Sequence, residues 1–179
     1  TFYKYNSSWH CWQRGGHGWL NITGAIEKSC NFFFYTIGTR MDIDVLAKYA
    51  KYFGLGVKTG VELPSEVAGS VASRETAEKN NHSWQPGDMM SAVIGQSYNA
   101  FTPLQMAKYI SMVANGGNKI TPTILESVIR ADGTEVPKEE VEQTIKAKLG
   151  ITDDGTEDLT ISQTSIDVVK EGMRSVTSD

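Results

Sequence analysis

The sequence is poor in the residues that build covalent or coordinated scaffolds. Its 179 residues include two cysteines, three histidines and five prolines. Two cysteines are too few for a disulfide framework. No run of 18 apolar residues occurs, so the chain offers no membrane-spanning helix. Basic residues are not in excess, with 17 Lys and Arg against 21 Asp and Glu. The net charge of -4 argues against nucleic acid as a partner. There is no internal repeat, no low-complexity tract and no N-terminal leader pattern. The chain starts at Thr1 and ends on "SVTSD", and it reads as a piece of a longer protein. Hydrophobic residues make up 40%, enough for a core, and the length suits one domain.

Periodicity predicts a mostly helical chain with a few strands. The aromatic, glycine-rich opening reads as irregular structure leading into a short helix near Thr23–Lys28. A second helix runs through Tyr35 and Ile37. In "DIDVLAKYAKYFGLG", Ile43, Leu46, Ala47, Ala50 and Phe53 recur at helical spacing, with Gly54 as the stop. "VKTGVELPSEVAGSVASRE" reads as a loop with short extended pieces. The clearest helix is "TPLQMAKYISMVANGG": Thr102 caps it, Pro103 takes the first turn and Gln105 completes a capping box. Its expected apolar stripe is Leu104, Ala107, Ile110, Val113 and Ala114. Asp132-Gly133 suggests a hairpin between two strands. A charged helix is expected at Lys138–Leu149. A last one has Ile166, Val169, Met173 and Val176 on one face and Ser162 or Thr164 as cap.

"EKSCNFFFY" places Ser29, Cys30 and Asn31 between two apolar stretches. By itself the triplet fits a helix cap, since Ser29 or Asn31 can accept a bond from a free backbone N–H. It also fits a metal or redox site, or one corner of an active site.

Four phrases narrow this: "GGHGWLNITGAIEKSCNFFFYTIG", "YFGLGVKTGVELPSE", "WQPGDMMSAVIGQSYNAFTPLQMAKYISMVANGG" and "VKEGMRSVTSD". In this order they resemble the transpeptidase domain of class B penicillin-binding proteins of the elongation type. The resemblance spans nearly the whole chain and is weakest around residues 130–160. It implies an α/β fold of the serine β-lactamase-like kind, a central antiparallel sheet with helices on both faces. Residues 1–179 would be the middle portion of that single domain, mainly its helical part. The resemblance further implies a membrane-anchored parent acting on the extracytoplasmic face. The parent cross-links peptidoglycan stem peptides through a serine acyl-enzyme and is acylated by β-lactams. Other cell-wall elongation proteins are implied as partners.

Such sites combine S-x-x-K, S-x-N and K-T-G motifs. Ser29-Cys30-Asn31 matches the second and makes Ser29 and Asn31 the candidate catalytic residues. A hydroxyl that donates and accepts can relay a proton, and a carboxamide can hold a peptide and orient a lysine. No serine is followed by lysine three positions later, so the nucleophile and its lysine lie outside these residues. Lys58-Thr59-Gly60 falls in a structural loop of the family, and the catalytic K-T-G is expected beyond Asp179. Ser97-Tyr98-Asn99 also falls in a structural segment. Nucleophile, base and oxyanion donors act as a unit, so the isolated chain is expected not to react with penicillin.

Cys11, His17 and Cys30 leave three readings open. The cysteines are plain buried thiols; or they form a disulfide closing a loop of about 20 residues, worth about 3 kcal/mol; or, with His17, they bind zinc, which favours thiolate and imidazole. A fourth zinc ligand would come from His10, water or a further segment. His17 also suits a backbone-bonding role in the "GGHG" loop. No other cofactor is required. His82 is expected to be an exposed loop residue, and Trp9, Trp12, Trp19 and Trp84 to pack. "DDGTED", near Asp153, fails the spacing of a calcium loop and reads as a solvated turn. Two rivals remain: a non-catalytic zinc-binding or peptidoglycan-recognition module, and a degenerate relative serving as a cell-wall scaffold.

Overall fold

A computed structural model describes residues 1–150 and 156–178; Asp153 lies outside them. Among the described residues there are eight helices and a two-stranded sheet. Strands β1 (Phe2–Lys4) and β2 (Ser7–Trp9) pair antiparallel, Phe2 opposite Trp9. The opening is therefore not irregular, as expected from its composition, but a hairpin. Tyr5 and Asn6 turn it at φ of 51° and 56°, the paired positive φ of a two-residue I′ connection.

Helix α1 (Ile22–Glu27) starts at Asn21, whose side chain accepts from the Gly24 N–H at 2.8 Å. Helix α2 (Asn31–Gly38) starts three residues after the α1 C-cap, Lys28. Cys30 occupies its cap position and makes no side-chain cap bond, so neither Ser29 nor Asn31 is the capping group. Helix α3 (Ile43–Tyr52) is capped by Asp42 and buries Ile43, Ala47 and Tyr52. Gly54 follows at φ +85°. Helix α4 (Arg74–Lys79) was not expected from the glycine- and proline-punctuated stretch before it; Ser73 caps it. Helix α5 is Asp88–Ala92.

Helix α6 (Pro103–Ala114) shows the expected capping box between Thr102 and Gln105. Its inward face matches the expected stripe only at Val113 and, half-buried, Leu104. Gln105, Lys108, Met112 and Val113 are buried, while Ile110 is exposed. The polar pair can go inside because loop carbonyls meet it: Gln105 Nε2 donates to Val57 O and Ala68 O, and Lys108 Nζ to Thr59 O. Helices α7 (Lys138–Leu149) and α8 (Gln163–Ser175) complete the chain. Ser162 is the α8 cap residue but makes no side-chain cap bond. At Asp132-Gly133 the turn forms, with Asp132 Oδ1 accepting from Thr134 N and Oγ1. The expected strands shrink to one bridge, Ile129 to Glu135. Val128 and Ile129 lie exposed, so no second layer rewards a longer ladder.

The core gathers Tyr35, Ile43, Ala72, Met89, Met90 and Ala92, with Phe2, Trp9 and Trp84 packed against it. Trp12 and Trp19 do not pack as expected; they are exposed. His82 is half-buried, its Nε2 2.7 Å from Asp88 Oδ2. Helix α8 lies along α1. At their contact Gly172 stands where any Cβ would meet Ile26. No helix of the described residues is long and apolar enough to cross a membrane.

Candidate active site

The Ser29 turn is a helix ending of a defined kind. Lys28 is the α1 C-cap and Ser29 follows in the left-handed region, at φ 47°. Ser29 N donates to Ile26 O at 3.1 Å, and Cys30 N to Ala25 O at 2.9 Å. This is the Schellman pattern, whose left-handed position normally holds glycine. A side chain there costs roughly 1–2 kcal/mol. Strain of this sort collects at functional sites. Here it presents a serine hydroxyl at the surface: Ser29 is exposed, and no described residue engages its Oγ.

Asn31 opens α2 and is half-buried. Its Nδ2 donates to His10 O at 3.5 Å, and Tyr35 Oη donates to the same carbonyl at 3.4 Å. Among the described residues no donor meets its Oδ1. From the other side, Trp12 Nε1 donates to Lys28 O at 3.1 Å and to Ser29 O at 3.2 Å. Trp12 thus binds the turn rather than packing as expected, and in the sequence only its place beside Cys11 marks it.

Beneath the turn lie Cys11, His17 and Cys30, with one ligand atom from each within 4.8 Å of the others. Both thiols are free, Cys30 buried and Cys11 half-buried, so no disulfide joins them. Cys11 Sγ is 3.7 Å from His17 Nδ1. His17 Nε2 is buried and has no partner among the described residues. Burial opposes ionisation of Cys11. Backbone hydrogen bonds from Gln13, Asn31 and Phe32, with the Cys30 side chain, outweigh it and hold the thiol below its ordinary value. His10 is not in the cluster; its Nδ1 is 3.1 Å from Thr1 Oγ1. An open cleft of about 810 Å³ is walled by the loop from His10 to Gly18 with Cys30 and Phe32; Ser29 and Asn31 stand outside that wall.

The two look-alike motifs have structural work. Asn99 accepts from Ala72 N at 2.8 Å and donates to Gln96 O at 2.9 Å, so its amide is spent on main chain. Thr59 is buried, its N and Oγ1 bonded to Glu66 Oε1 at 2.7 and 2.6 Å, with Gly60 N on Oε2. Lys58 is exposed on a loop, not on a strand.

All of residues 1–179 match the family model for the penicillin binding protein transpeptidase domain. The chain belongs to this transpeptidase family. Among curated relatives, the peptidoglycan D,D-transpeptidase MrdA of Escherichia coli K12 is 38% identical over 127 residues. These cover 70% of this chain and 20% of the relative. The transpeptidase chain thus spans about a fifth of the length of that relative. Its fold is that of solved family members. PBP2 from Helicobacter pylori superposes with a TM-score of 0.73 at 26% identity, over 99% of this chain and 30% of that one. Pseudomonas aeruginosa PBP2 superposes with a TM-score of 0.77 at 24% identity, over 100% of this chain and 40% of that one. The mostly helical transpeptidase fragment is therefore part of an α/β fold, as its order of motifs implied.

Proposed function

We propose that residues 1–179 are the middle portion of the transpeptidase domain of a peptidoglycan D,D-transpeptidase of the elongation type. The observation that carries this is the Ser29 hydroxyl, held exposed on a left-handed turn two residues before Asn31, within a chain that matches the family throughout. Nucleophile and lysine come from segments outside these residues. The serine attacks a D-Ala-D-Ala carbonyl, the terminal D-Ala leaves with a proton, and a stem-peptide amine resolves the acyl-enzyme. Ser29 relays the proton between lysine and departing amine. Asn31 orients the lysine and holds the substrate amide. A β-lactam enters the same path and stops at the acyl-enzyme.

In this reading the whole protein is anchored in the cytoplasmic membrane, with this domain on the extracytoplasmic face. Its partners are stem peptides and other elongation proteins. A Helicobacter pylori PBP2 has been solved in complex with MreC, which supports a partner of that type. The test is covalent labelling by a fluorescent penicillin. The full-length protein should give a labelled band and residues 1–179 alone none; a labelled fragment, or an unlabelled full-length protein, contradicts the reading.

Cys11, His17 and Cys30 fit zinc by donor chemistry: two thiols, one with its acidity already raised, and a buried imidazole with an unpartnered nitrogen. We infer that they hold a structural zinc, with a fourth ligand from water or another segment. Such an ion would cross-link the 10–18 loop to the start of α2 and so brace the Ser29 turn. Elemental analysis of the full-length protein should find one zinc per chain, with both thiols unreactive until a chelator is added. Free, reactive thiols without metal would refute it.

A further inference from the structure

We propose that Trp12 is a positioning residue that holds the Ser29 hydroxyl in its reactive orientation. The inference rests on the reading of Ser29 given above. Its indole N–H is shared between two successive carbonyls, Lys28 O at 3.1 Å and Ser29 O at 3.2 Å. These carbonyls belong to the peptide planes on either side of the Ser29 Cα. Because each peptide unit is planar, the backbone at Ser29 has only φ and ψ to adjust. A donor bonded to both flanking planes restrains both angles at once.

The restraint has something to oppose. Ser29 is a non-glycine residue at φ 47°, where the Cβ meets crowding that glycine would not. The carbonyls past the last turn of α1 also lack helical partners, so each gains from an outside donor. Burial does not account for the tryptophan. It is 64% exposed, and its ring touches the His17 ring edge-on at 5.2 Å. A large aromatic left mostly in water, with its one polar atom aimed at this turn, is placed for the hydrogen bonds. Released from them, the turn is held only by its two Schellman bonds, Ser29 N to Ile26 O and Cys30 N to Ala25 O, and the hydroxyl drifts off the line between lysine and leaving group.

The test uses the full-length protein and penicillin acylation, separated into the dissociation constant of the first complex and the acylation rate constant. Trp12→Phe keeps a ring and deletes the N–H. Losing two modest hydrogen bonds should slow acylation about tenfold. The first dissociation constant should stay within about twofold and the melting temperature should fall by a few degrees at most, because the ring is kept and the residue fills no core. A native acylation rate overturns the inference, and so does a rate that falls together with substrate affinity and melting temperature. If Trp12→Phe does not fold, benzothienylalanine at position 12, which keeps the bicyclic shape without the N–H, is read by the same outcomes. Ser29→Ala is measured alongside. If Ser29→Ala is slow while the Trp12 variant is native, only this inference falls; if Ser29→Ala is native, the reading of Ser29 falls and takes this one with it.

Discussion

Gly172 allows a test of how the helical scaffold controls the site from a distance. A Cβ at this position of α8 would lie 2.9 Å from Ile26 Cβ, 3.1 Å from Ile26 Cδ1 and 3.1 Å from Thr23 O. Carbon contacts settle near 3.5 Å, so Gly172→Ala forces α1 and α8 apart by about half an ångström. The obstacles are a Cβ and a backbone oxygen, which cannot swing aside as a side-chain tip could. Overpacking costs about 1–3 kcal/mol, and replacing a helical glycine, here in the last turn of α8, returns at most about 1 kcal/mol. The net loss of about 0–2 kcal/mol lowers the melting temperature by a few degrees at most. Function should suffer more. Helix α1 ends two residues before Ser29, so its shift is passed to the hydroxyl. A misplacement of about 1 Å can cost about a hundredfold in rate; half of that predicts about tenfold. Acylation of the full-length protein by a fluorescent penicillin, followed with time beside a thermal melt, measures both. An unchanged acylation rate in a folded Gly172→Ala protein would refute the claim that the α1–α8 contact sets the position of the turn.

Gln105→Ala should remove the N-terminal box of α6 and leave the carbonyls of Val57 and Ala68 without their donor. The side chain is fully buried, so thermal or denaturant unfolding should show a loss of about 3–5 kcal/mol; a loss under about 1 kcal/mol would contradict the packing described. Asp42 caps α3 and is paired with Arg74, whose guanidinium, helped by the Asp44 N–H, pulls its carboxyl from 3.8 to about 2. The folded value is the lower one, so the pair contributes above about pH 4 and its contribution is lost as the pH falls toward 2. Asp42→Asn should flatten that part of an acid-stability curve, and an unaltered curve would count against the pairing.

Some of this was legible in the residues and some was not, for physical reasons. The α6 start was written locally, in Thr102, Pro103 and Gln105, and forms as expected. Its buried face was not, because hydrophobic periodicity cannot show that distant carbonyls await Gln105 and Lys108. The turn at Asp132 was readable from its own chemistry, whereas strand length depends on a covering layer that local sequence does not describe. The N-terminal hairpin escaped notice because its strands are three residues each and its turn, Tyr5-Asn6, lacks glycine. At the candidate site, residue types and order pointed to Ser29 and Asn31. The left-handed backbone of Ser29 was hidden, since a serine is not the residue that normally signals it. Cys11, His17 and Cys30 stood out as potential ligands although 19 positions separate the two thiols, and the structure brings them together.

The most direct test of the account is Ser29→Ala in the full-length protein, with the acylation rate constant for penicillin as the readout. Removing a proton relay should lower it by a factor on the order of a hundred or more. Folding should be intact, because the serine side chain is exposed. A folded Ser29→Ala protein that acylates at the native rate would show that this turn shapes the scaffold and takes no part in the chemistry.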